Sequence, residues 1–242
     1  MARTPAVQLA PNVWRIPTAV KDYVNSFAFV DDDGSVTLVD TGLKKAPARI
    51  VAGLAVMGKH PQDVQRILLT HVHPDHAGGA AEMARSTGAS VGVHPDDRDS
   101  AVRGRRQQQP DQRYLLGRLF ARLPQPEHEF EPFTPDEPLA DGEVLPVAGG
   151  LRVVHTPGHS PGHVSFLHEP SRTLITGDAM FNVDLLRGLR ISPRVLCSDF
   201  ALTRKTVHRL AELDYDVAAF THGTAITDNP RERIRRYLAT VG

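Results

Sequence analysis

The stretch Thr70-His71-Val72-His73-Pro74-Asp75-His76 sets four side chains able to bind a metal ion within six positions. Imidazole nitrogen and carboxylate oxygen are the donors of a catalytic zinc, which keeps one position open for water. His71 and His73, two apart in extended backbone, project to the same side. Pro74 then redirects the chain, so Asp75 and His76 can face a second point, with Asp75 near the start of a following helix. The competing reading is a polar capping turn. Crowding basic rings around a carboxylate with no cation is a costly way to make one.

Four later or earlier segments add donors of the same kind. They are Asp40 in LVDTG, His159 in TPGHSPGH, Asp178 in TGDAM and His222 in FTHG. Each falls where an apolar strand meets a glycine-bearing turn, which is where α/β architectures place chemistry. His163 lies four residues after His159 but leads into the strand VSFL, and reads as a packing or supporting residue. His60, His94, His128, His155, His168 and His208 sit in no such segment and read as ordinary surface or core histidines. Cys197 is the only cysteine, which excludes an intramolecular disulfide and a cysteine-rich structural zinc site. It reads as an ordinary thiol. No GxSxG nucleophile elbow is present.

These donors need a scaffold. Val24–Val30 and Ser35–Val39 read as strands around the turn Asp31–Gly34, and Ala46–Met57 as a helix with Pro47 at its start and Gly58 beyond its end. The spacing predicts a strand over Arg66–Leu69, a helix over Gly78–Thr87 and a strand over Ala89–Val93. The second half reads as strands at Leu151–His155, Val164–Leu167, Thr173–Thr176 and Val217–Thr221, with helices over Phe200–Leu213 and Pro230–Ala239. The alternation points to an α/β fold. With 242 residues and no dividing linker, we expect one domain spanning 1–242, with a helical or loop insertion around 98–138. Within that insertion, Leu115, Leu116, Leu119, Phe120 and Leu123 share a helical face. That face suits core packing, a substrate lid, or a homodimer contact through 110–123.

Bulk composition narrows the partners. Lys+Arg and Asp+Glu both number 28, so formal charge balances, and neither nucleic acid nor an anionic membrane is called for. The seven arginines of 98–122 read as a solvated face because acids are interspersed. No apolar run reaches the roughly 18–20 residues of a membrane span. The start, MARTPAVQLAPNVWRIP, lacks the apolar core of a signal peptide, so a cytoplasmic location is expected.

HVHPDH, TPGHSPGH, TGDAM and THG, in this order and preceded by LVDTG, resemble the motifs of the metallo-β-lactamase superfamily, in its glyoxalase II and lactonase-like branch. The likeness runs from about Asn25 to His222. It implies an αββα sandwich of two mixed β-sheets flanked by helices, with metals at one edge. It implies two Zn2+ ions, iron or manganese also suiting such ligands. His71, His73 and His159 would hold one ion, Asp75, His76 and His222 the other, and Asp178 would bridge them. Asp40 would support the site from behind.

The implied activity is hydrolysis of a small-molecule carboxylic ester, lactone or thioester. Two ions about 3.5–4 Å apart share a water and bring its pKa from near 16 toward 7. Asp75 would be the catalytic residue that holds the resulting hydroxide's proton. Strict zinc β-lactamases carry Cys or Ser at the Asp178 position. Lactonases of the family commonly have Tyr three residues after the bridging Asp. Here that place is Phe181, which lines the expected substrate pocket and has no hydrogen to donate. Two other functions fit the same motifs: a mononuclear iron persulfide dioxygenase-like enzyme, and a metal-binding sensor without turnover.

Overall fold

The computed structural model describes residues 4–106, 128–186 and 188–241. The expected Leu115–Leu123 helix, and with it the homodimer contact through 110–123, lies outside them.

Two mixed sheets carry the fold. Among the described residues the first has seven strands in chain order: β1 (Val7–Ala10), β2 (Val13–Pro17), β3 (Asn25–Val30), β4 (Val36–Val39), β5 (Val64–Leu68), β6 (Ser90–Val93) and β7 (Glu137–Pro138). Pairing is antiparallel from β1 to β4 and parallel from β4 to β7. The second sheet comprises β8 (Val144–Leu145), β9 (Leu151–His155), β10 (Val164–His168), β11 (Thr173–Ile175) and β14 (Val217–Ala219). Its order is β14-β11-β10-β9-β8, and only β14 runs parallel to its neighbour β11. A separate hairpin pairs β12 (Met180–Val183) with β13 (Gly188–Ile191).

Side-chain alternation explains the stacking. In β3, Phe27 and Phe29 join Val153, Phe166, Ile175 and Ala219 in a core between the sheets. The intervening Ala28, with Ile16, Leu38 and Ile67, faces the helices α1 (Pro47–Val56) and α3 (Ala80–Thr87) through Ile50, Leu54 and Met83. The second sheet mirrors this. Val154, Leu167, Leu174 and Ala218 point away from the shared core. They meet Val207 and Leu210 of one helix, Phe200–Ala211, and Ile234 and Leu238 of another, Pro230–Val241. The inner strands, such as β3, β4 and β10, are therefore buried on both faces, as a four-layer αββα sandwich requires.

The predicted elements stand with shifted ends, and three differences are physical. The helix expected over Gly78–Thr87 is broken. A short turn, α2 (Pro74–Ala77), begins inside the metal-ligand motif with Pro74 in its first turn, and α3 starts only at Ala80. Gly78 and Gly79 separate the two, packed so closely that a Cβ on Gly78 would lie 2.2 Å from the Pro74 carbonyl oxygen. Strands β1 and β2 were not legible. β1 is a half-exposed edge, and β2 carries Trp14, Arg15 and Pro17 among few aliphatics. The β12–β13 hairpin was not read from the sequence either, because its strands are four residues each and only partly buried.

Candidate metal centre

The chain ends of the strands deliver the donors. Asp40 follows β4, Thr70–His76 follow β5, His159 lies in the loop between β9 and β10, Asp178 follows β11 and His222 follows β14. The two sheets are tied at this edge by backbone bonds, Val164 N–H to Thr70 O and Asn25 N–H to Thr221 O. All seven motif residues, His71, His73, Asp75, His76, His159, Asp178 and His222, converge there.

They form two groups sharing one carboxylate. His159 Nε2 lies 3.1 Å from His71 Nε2 and 3.0 Å from His73 Nδ1. Three ring nitrogens so close are spaced like donors around a single ion, since zinc–nitrogen bonds of about 2.0–2.1 Å put tetrahedral neighbours about 3.3 Å apart. The second group is Asp75, His76 and His222. Asp178 stands between the groups. Its Oδ1 is 3.2 Å from both His76 Nε2 and His222 Nε2, and its Oδ2 is 3.4 Å from His159 Nε2.

Two atoms report directly on fit. His76 Nε2 and Asp178 Oδ1 are buried and have no hydrogen-bond partner, although they face each other. A buried donor or acceptor left so is costly. A cation placed among these atoms would satisfy both, so the donor set fits one.

The electrostatics divide the same way. Burial, reinforced by neighbouring imidazoles, pushes His71 well below the usual histidine range, and burial takes His73 and His159 down to about 3. That group presents bare lone pairs at neutral pH. In the other group burial opposes charge but loses. Asp178, Asp40 and Asp75 hold His76 well above its ordinary value, and Asp178 and Asp75 bring His222 up to about 10. For Asp75 and Asp178, too, burial is outweighed. His76 with the His222 hydrogen bond holds Asp75 far down, and His222, His76 and His159 do the same for Asp178. This half demands positive charge, which protons or a metal ion can supply.

Outer contacts aim the rings. His76 Nδ1 donates to Asp40 Oδ2 at 2.8 Å, leaving Nε2 for the site. Asp40 is fully buried, at a left-handed φ of 59°, and also accepts from Thr70 N–H and Thr70 Oγ1. Such strain persists where surrounding bonds over-determine it. His222 Nδ1 donates to Tyr23 O, and His159 Nδ1 sits 3.0 Å from Ser192 Oγ. His163 lies behind the carboxylate: its Nε2 accepts from Asp178 N–H at 2.8 Å and its Nδ1 meets the Thr156 carbonyl at 3.1 Å. Phe181 is buried with its ring 4.6 Å from that of His222. Cys197 is buried, its thiol directed at the Ser192 and Pro193 carbonyls.

One carboxylate escaped the sequence reading. Asp97 is buried and accepts from Val72 N–H, Gly162 N–H and Ser160 Oγ, at 3.0, 2.9 and 2.9 Å. It thus joins the loop of His71 and His73 to the loop of His159. In HPDDRD nothing distinguishes it from a solvated acid. Only tertiary placement does. Thr70, Ser192 and the Tyr23 carbonyl were missed for the same reason.

Comparison with known proteins follows the geometry. The model of the metallo-beta-lactamase superfamily matches residues 20–222, and the chain belongs to that family. A probable metallo-hydrolase of Bacillus subtilis (strain 168), YybB, is 31% identical over 70% of this chain and 77% of its own length. A hydroxyacylglutathione hydrolase of Rhodopseudomonas palustris (strain BisB18) is 28% identical over 70% of this chain and 52% of its own. A solved metallo-beta-lactamase family protein from Thermus thermophilus superposes with a TM-score of 0.72 at 31% identity, covering 97% of this chain and 80% of that one. The chain is therefore a metal-binding hydrolase of this superfamily, with its fold. Among the described residues no helix is long and apolar enough to cross a membrane.

Proposed function

We propose that the protein is a dinuclear zinc hydrolase that cleaves a carboxylic ester, lactone or thioester of a small molecule. The carrying observation is the double cluster, in which Asp178 turns one oxygen toward each group. His71, His73 and His159 would hold one ion, Asp75, His76 and His222 the other, with Asp178 between them. When bound, such a pair supplies Lewis acidity and a nucleophile competent at neutral pH.

The chain's own residues do the rest. Asp75, partly exposed beside His222, stays ionised and would accept a hydrogen bond from the attacking group, holding its proton and orienting its lone pair. Asp40 and His163 hold His76 and Asp178 in place. Phe181 and the buried rings keep bulk water from the reacting bond, which strengthens the electrostatics within. Kinship with a hydroxyacylglutathione hydrolase supports the thioester member of this class. Phe181 has no hydroxyl to polarise a lactone carbonyl, which places lactones lower.

The test combines elemental analysis of protein purified without added metal with a panel of p-nitrophenyl esters, lactones and acyl thioesters. Two zinc ions per chain and chelator-sensitive turnover of at least one substrate are expected. Silence across the panel with both ions bound would favour a sensor instead. A single iron with oxygen uptake would favour the dioxygenase-like chemistry.

A further inference from the structure

We propose that His94, Asp96 and His155 form a second, peripheral binding site for a first-row divalent cation such as Zn2+, Ni2+ or Cu2+. One ligand atom from each lies within 4.8 Å of the other two. None of them belongs to the central cluster. His94 follows β6 of the first sheet and His155 ends β9 of the second, so the site straddles the sandwich edge.

One of the two imidazoles, that of His155, is ordered before any ion arrives. The two rings stack with centroids 4.0 Å apart and planes 11° from parallel. His155 Nε2 donates to the Pro161 carbonyl at 2.9 Å, which leaves Nδ1 as the bare nitrogen. A ligating histidine that gives its other N–H to a backbone carbonyl has its tautomer and ring plane fixed in advance. The backbone of His155 is held too. Its N–H donates to Asp141 Oδ1 at 2.9 Å, and its carbonyl accepts from Arg209. On the other ring, His94 Nδ1 accepts only a long 3.3 Å bond from Asp96 N–H, and Asp96 Oδ2 is 3.7 Å away. Burial and the neighbouring His155 push His94 below the ordinary histidine range, so it offers a lone pair at neutral pH.

Two imidazoles and one carboxylate, with no thiolate, suit borderline divalent ions and leave positions for water. With the His155 ring held by Pro161, the more loosely tied His94 ring must tilt to aim at the same ion, and Asp96, mostly exposed, adjusts with it. Binding is therefore weaker here than at the buried cluster, so the two loadings separate in a titration. An ion here would also staple the turn that supplies Asp97 to the loop carrying Pro161 and His159.

Protein as purified, its central metal content fixed by elemental analysis, is dialysed against increasing Ni2+. Wild type takes up an additional equivalent that the His94→Ala/His155→Ala double variant does not, and Asp96→Asn weakens that uptake. Equal uptake by wild type and double variant overturns the proposal. Because the double variant can fold poorly, added Cu2+ on the wild type gives a second reading by electron paramagnetic resonance. Nitrogen coupling from two imidazoles, with central metal unchanged, is expected. Copper bound with no nitrogen coupling, or not bound at all, overturns the site. The comparison does not depend on how many ions the central cluster holds.

Discussion

Asp40 shows how a residue with no place in the reacting bond can govern the chemistry. It occupies a strained backbone conformation, is wholly buried, and spends its oxygens on Thr70 and His76. Removing it frees the His76 ring to rotate away from Asp178. Losing such an orienting carboxylate typically costs about 10–100-fold in metal affinity or activity. Asp40→Ala is expected to lower affinity for the ion of the Asp75 group by that factor, read by chelator competition. An unchanged affinity would show that packing alone orients His76. A second residue-scale outcome follows from charge. In the metal-free protein at pH 7, His222 titrates near 10 and His76 lies well above its ordinary value, so both carry protons. His73 and His159 titrate near 3 and are neutral, each keeping a single ring proton. A metal ion must displace protons from its ligands. Loading the stripped protein is therefore expected to release protons from the Asp75 group, and His222→Ala to reduce the release. Calorimetry in buffers of different ionisation enthalpy measures it. Loading with no proton release would contradict the charge assignment.

The elements that hold these residues are tight where they turn. Gly223 follows His222 at a φ of +112°, and a Cβ there would lie 1.8 Å from the Asn182 carbonyl oxygen. That carbonyl belongs to β12, so the hairpin unreadable in the sequence sets the position of a motif histidine. Gly223→Ala is expected to displace His222 and lower metal content while leaving most of the fold, since strain there is local. Elemental analysis with circular dichroism decides, and full metal content would refute it. Asp97 belongs to the same scale because it joins two loops. Asp97→Ala strands three buried donors, and at about 1 kcal/mol or more each the loss is about 3 kcal/mol. Denaturant unfolding checks this, and a loss below about 1 kcal/mol would mean water replaces the carboxylate. Both cases mark the limit of sequence reading. The donors were legible because His and Asp at strand ends beside glycines are chemically conspicuous. Asp97 and the Asn182 carbonyl were not, because their importance lies in what they touch far along the chain, at Gly162 and Gly223.

At the scale of the molecule, the sandwich was legible only through the resemblance carried by the motifs, since the alternation of strands and helices gave no more than an α/β order. The outermost strand was not, because half-exposed β1 has no inner-core pattern to betray it. The ligand groups are drawn from both sheets: His71, His73, Asp75 and His76 from the first, and His159, Asp178 and His222 from the second. An ion at either group therefore bridges the halves of the sandwich, at an edge that buries Asp178 Oδ1 and His76 Nε2 with no hydrogen bond to either atom. Binding that favours only the folded state stabilises by about 4 kcal/mol at a thousandfold excess over Kd. For a chain of this length each kcal/mol moves Tm by about 2–4 °C. Stripping the metal is thus expected to lower Tm by about 10 °C. Hydrogen exchange should quicken first where the sheets meet, at the Val164 and Asn25 amides that join them. Restoring zinc should reverse both. A stripped protein, verified by elemental analysis, that melts where the loaded one does would mean the sandwich holds this edge together unaided, with the ions serving catalysis alone.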